Sequence, residues 1–128
     1  MEKNKMRTYD NYALGRWIKG DGKETPLYNA INGEQIGTAS SKGIDFAKMM
    51  KYAREKGGPV LRKMTFQERG LMLKKLALHL HSIKGKFYPL SFQTGATKID
   101  SWIDIEGGIG NLFTNASLRR QFPDLPYH

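Results

Sequence analysis

Apolar and polar positions follow two regimes along the chain. Up to residue 39, short aromatic and apolar runs alternate with turn residues. Residues 12–18 (YALGRWI) end at Gly20-Asp21-Gly22, residues 26–31 (PLYNAI) meet Asn32-Gly33, and residues 35–39 (QIGTA) follow. Glycine and Asn-Gly punctuation between such runs predicts a meander of two or three short strands. A sheet this small is marginal alone and must lie on something else. Residues 1–10 are polar, and the first eight are expected to form a disordered tail.

From Ser41 onward the spacing is helical. Phe46, Met49, Met50 and Ala53 supply the apolar side of a first helix, with Ser40 or Ser41 as its cap. Gly57-Gly58-Pro59 is expected to stop it. Thr65-Phe-Gln-Glu68 has the form of a capping box. Leu73, Leu76, Ala77, Leu80, Ile83 and Phe87 then make one apolar stripe. Pro89 should kink or end this helix, and Thr94-Gly95 should complete the break. A third helix is expected over residues 98–119, with Ile99, Trp102, Glu106, Ile109, Phe113 and Ala116 near one face. The tail from Phe122 has two prolines and no periodicity, the pattern of a loop. The fold class is therefore α+β: a short meander followed by about three helices.

Composition narrows the functions open to the chain. Its 128 residues suit one domain, and 39% hydrophobic against 26% charged residues is a globular balance. There is no cysteine. That excludes a disulfide framework, a thiolate metal site and a cysteine nucleophile within these residues. No apolar run approaches the roughly 20 residues that span a bilayer, and the start lacks an apolar signal segment, so a cytoplasmic protein without membrane contact is expected. The net charge of +9 is scattered rather than blocked. Cations around residues 74–86 nevertheless motivate a second reading, a basic helical module that binds nucleic acid or another polyanion.

The candidate chemistry is sparse. Gly107, Gly108 and Gly110 could suggest a phosphate-cradling loop, but no strand precedes them and Ile109 and Phe113 keep the helical register. Glycines placed this way instead predict a helix that another backbone approaches closely. His79 and His81 stand two apart, pointing about 200° away from each other on a helix, and so cannot share one metal ion. Asp100 and Asp104 lie on one helix face, where an acid/base pair or a hard-cation site competes with simple compensation of the helix dipole. Glu106, on the apolar side, is expected to pair with a cation or a cap rather than to act in catalysis. Trp17, Trp102, Tyr12 and Phe113 are expected as core or interface residues, and Met49, Met50 and Met72 as packing. No catalytic, cofactor-binding or metal-binding residue is assigned.

The ordered series YALGRW, NAINGEQIG, AREKGGP, TFQERGLMLKKLA and SFQTGATKIDSWIDIEGGIG resembles the N-terminal part of the aldehyde dehydrogenase superfamily. Gly15-Arg16-Trp17, Asn29, Gly33-Glu34, Ile36, Arg69 and Thr94-Gly95 match that pattern. The details GGPVLRKMTFQERG and TGATKIDSWIDIEGGIG are similar to one branch, whose members oxidise a ring-opened semialdehyde CoA thioester in phenylacetate breakdown and carry a fused hydratase domain. The resemblance implies a parent with an α/β dehydrogenase fold, of which residues 9–128 would be an incomplete cofactor-binding domain. It also implies NADP or NAD as cofactor of the complete protein, bound elsewhere than this segment, and a homo-oligomeric parent. The family's cysteine nucleophile, general-base glutamate and oxyanion-hole asparagine lie beyond the matched region. The partner implied for this segment is the remainder of the dehydrogenase chain.

Overall fold

The computed structural model describes residues 6–127. It is α+β and divides into two compact units, Met1–Gly57 and Gly58–His128. In the first unit, β1 (Arg7–Tyr9), β4 (Thr25–Tyr28) and β5 (Gln35–Ala39) form one sheet in the order β1-β5-β4. The central β5 runs parallel to β1 and antiparallel to β4. Arg7 and Thr8 thus belong to a strand rather than to the expected tail, while residues 1–5 of that tail lie outside the described residues. The Asn-Gly turn joins β4 and β5 as expected. Asn29 Oδ1 accepts from the Ile31 N–H at 2.9 Å, and Gly33 takes φ +72°.

Residues 12–18 are not one strand. They fold into a hairpin of β2 (Asn11–Ala13) and β3 (Arg16–Ile18). Leu14 and Gly15 have φ of 55° and 76°, the double left-handed turn that matches the twist of a hairpin. Tyr12 and Trp17 face each other across it, edge to face at 5.2 Å.

Helix α1 (Phe46–Tyr52) is capped by Asp45, whose Oδ1 accepts from the Lys48 N–H at 2.9 Å. Ser40 and Ser41 cannot cap it, because Gly43 between them and the helix sits at φ +81°. The expected stop at Gly57-Gly58-Pro59 does not end the helical conformation. A wide π turn (Ala53–Gly57) follows α1, and residues 58–63 form α2 (Gly58–Lys63). Pro59 lies in the first turn of α2, directly after the π turn, so the helical path accommodates a residue that has no N–H to donate.

The second unit is built on two long helices, α3 (Phe66–Ile83) and α5 (Lys98–Ser117), with the short α4 (Tyr88–Phe92) between them. The predicted capping box is present: Thr65 Oγ1 accepts from the Glu68 N–H and Glu68 Oε2 from the Thr65 N–H at 2.8 Å. A 3-10 turn (Lys84–Lys86) ends α3, and Pro89 opens α4 instead of kinking a longer helix. The regular part of α5 ends at Ser117, two residues before the expected boundary, and a 3-10 turn (Leu118–Gln121) follows.

Helices α3 and α5 pack antiparallel. Near the start of α3, Gly70 lies against Ala116 and Arg119, while Lys84 just past its end pairs with Glu106 in the middle of α5. Apart from Ile109, the buried residues of the two helices are small: Gly70 and Ala77 from α3, Ser101 and Ala116 from α5. Of the stripe predicted on α3, only Ala77 is fully buried and Leu76 is exposed.

The tail after Gln121 has no regular element but is tied back onto the first turn of α3. The Phe66 N–H donates to Leu125 O at 2.9 Å, and Arg69 Nη2 donates to Pro126 O at 2.7 Å. Gln67 Nε2 donates to Arg119 O at 2.7 Å, and the Phe66 and Phe122 rings stack 4.6 Å apart.

Candidate functional site

A cluster of polar and aromatic side chains lies where α3 ends beside α5. Lys84 Nζ sits 2.6 Å from Glu106 Oε1, and the Tyr88 hydroxyl donates to the same oxygen at 3.4 Å. Trp102 and Ile99, one and two turns earlier on α5, line an apolar cleft of about 230 Å³ with Tyr88 and Lys98.

The electrostatics of this cluster decide its chemistry. The Lys84 hydrogen bond holds the Glu106 carboxyl below its ordinary value, against partial desolvation that pushes it up; the Lys84 and His81 charges and the Tyr88 hydroxyl add to the lowering. A carboxylate held in its ionised form by an ammonium group is a weak proton acceptor near neutral pH. Glu106 is therefore a tie between α5 and the end of α3, the pairing expected of a charge on an apolar face.

The other candidates resolve locally. Asp100 closes a second capping box: the Thr97 hydroxyl and N–H donate to its Oδ2 at 2.6 and 3.1 Å. Those bonds, the hydroxyl first, hold its carboxyl below the ordinary value. Asp104 shares the face but is exposed, and the two form no site with a third titratable group. His79 and His81 are both exposed on α3. Among the described residues, no group of three histidine, aspartate or glutamate side chains is placed to hold a metal ion. Trp17 and Trp102 are exposed, at 70% and 58%, so neither is a core residue of this chain.

The glycine run is helical, but the close neighbour expected beside it is absent from the described residues. A Cβ on Gly107, Gly108 or Gly110 would meet nothing within 4 Å. Their place inside α5 commits their N–H groups to the helix ladder, so they form no phosphate cradle and do not fit a nicotinamide dinucleotide. The close approach occurs at Gly70, which the reading of the sequence passed over. It also passed over Thr97-x-x-Asp100, although that spacing is a visible capping signature.

The fold is α+β, with Glu106 tying α5 to the end of α3 and Asp100 closing the cap of α5. No protein-family model matches the chain. It is 35% identical over 100 residues, 77% of its length, to the 3,4-dehydroadipyl-CoA semialdehyde dehydrogenase of Aromatoleum evansii. Those residues are 19% of that protein, so the chain spans about a fifth of the relative's length. The chain is thus related to a CoA-semialdehyde dehydrogenase, in line with the resemblance to aldehyde dehydrogenases. In addition, no helix among the described residues is long and apolar enough to cross a membrane.

Proposed function

We propose that this chain is the N-terminal segment of an NAD(P)-dependent aldehyde dehydrogenase that oxidises a CoA-linked semialdehyde in phenylacetate or related aromatic breakdown. The 35% identity over 100 residues carries the reading. The segment's own role is scaffolding: α3 and α5 brace the parent, and the reacting groups come from the rest of the polypeptide. Thioester-forming aldehyde oxidation needs a thiolate, and these 128 residues contain no cysteine. The parent is a cytoplasmic homo-oligomer in this reading.

The DNA immediately downstream of these codons tests the proposal. A continuing frame that encodes a cysteine-bearing dehydrogenase domain is the expected result. Reduction of a nicotinamide by the purified 128-residue chain, with a CoA-linked semialdehyde as substrate, would overturn the scaffolding role.

A further inference from the structure

The apolar surface of the helical unit exceeds what its own partners cover. Helix α3 exposes apolar side chains outside its seam with α5: Leu71, Met72, Leu76 and Leu78 are each more than 40% exposed. Helix α5 shows the same excess at one end. One face of its first turns is an uncovered overhang: Ile99, Trp102 and Ile103 are 70%, 58% and 55% exposed, although Ser101 beside them is buried. The side chain of Tyr88 in α4 borders only part of this overhang and leaves the apolar cleft beside Trp102, with room for one large side chain. Gly107 and Gly110 lie farther along α5, with open space where their Cβ atoms would be.

The matched relative supplies an occupant. The 100 aligned residues are 19% of it, leaving about four fifths of a dehydrogenase outside the match. We propose that the overhang of α5, centred on Ile99, Trp102 and Ile103, is an interface buried against that remaining dehydrogenase polypeptide, one of whose large apolar side chains enters the cleft beside Trp102. The inference rests on the reading of the chain as a dehydrogenase segment. The occupant is a body of the same polypeptide rather than a second copy of this segment.

The test replaces the aligned 100 residues of the Aromatoleum evansii enzyme with those of this chain and introduces Ile103→Cys. Maleimide labelling of that peptide is followed by mass in the chimera and in the isolated 128-residue chain, where the introduced thiol is the sole one. Labelling slowed about tenfold or more in the chimera is the expected result. Equal labelling in an active chimera overturns the interface and leaves the dehydrogenase reading intact. If the isolated chain is itself protected and sediments as a dimer that Ile99→Asp dissociates, a second copy is the occupant and the proposal fails. A chimera without Ile103→Cys that is insoluble or inactive, beside an active parent enzyme, removes the dehydrogenase reading and this inference with it.

Discussion

Gly70 of α3 meets the main chain of α5: a Cβ there would lie 2.9 Å from the carbonyl oxygen of Ala116 and 2.7 Å from Cβ of Arg119. A carbonyl fixed in a helix cannot step aside as a side chain can. Gly70→Ala therefore loses stability even though alanine is the better helix former. The expected loss is about 1 to 3 kcal/mol, read from urea unfolding followed by circular dichroism.

The opposite sign is expected on α5. Gly107 and Gly108 have open space around the missing Cβ. Gly107→Ala and Gly108→Ala should each stabilise the isolated chain by about 0.5 to 1 kcal/mol in the same experiment. A loss at either position would mean that something within the chain covers this face.

Arg69 anchors the tail. Its guanidinium donates to Pro126 O at 2.7 Å and lies 4.4 Å from the centre of the Phe66 ring. Arg69→Ala should release residues 123–127, seen as faster clipping there by a non-specific protease, with about 1 kcal/mol lost from the helical unit. Arg69→Lys should restore only part of the anchoring, because an ammonium lacks the planar fork.

Stability should fall in acid through the helical unit. Asp100 and Glu106 both titrate below their ordinary values in the folded chain, so the unfolded chain binds more protons in that window. Their stabilisation is complete above the ordinary glutamate value of 4.5 and is lost as pH falls through the folded values. Lys84→Met, by removing the first cause of the Glu106 shift, should flatten this dependence. Melting temperatures between pH 6 and pH 3 (roughly the carboxylate range) would show the flattening.

The charge of +9 is scattered rather than gathered into one block. Binding of the isolated chain to heparin or unrelated DNA should accordingly disappear at physiological salt. Retained micromolar binding with a steep salt slope would favour the polyanion-binding module instead.

What was legible in the sequence was what local chemistry decides. Thr65 and Glu68 announce their helix start because the capping pair closes within four residues. Asn32-Gly33 announces its turn for the same reason. The hairpin at Leu14-Gly15 was hidden, because its apolar residues run through the turn without a polar break and Leu14 takes a φ that leucine rarely adopts. The helix stop at Gly57-Gly58-Pro59 failed because glycine and proline permit a break without compelling one. Which glycine is pressed depends on what packs across from it, and periodicity carries no information about that. Gly70 and Gly107 look alike in the sequence and differ only in the tertiary fold. Glu106 was legible as a paired charge from its apolar neighbours, but its partner Lys84, 22 residues away, was not.

The most direct measurement of the central claim is turnover by the chimera that carries this segment in place of the matched fifth of the Aromatoleum evansii enzyme. Thiol-dependent oxidation of 3,4-dehydroadipyl-CoA semialdehyde, with the isolated 128-residue chain inert, is the result predicted. A chimera that stays folded but silent beside an active parent, or an isolated chain that turns over by itself, would contradict it.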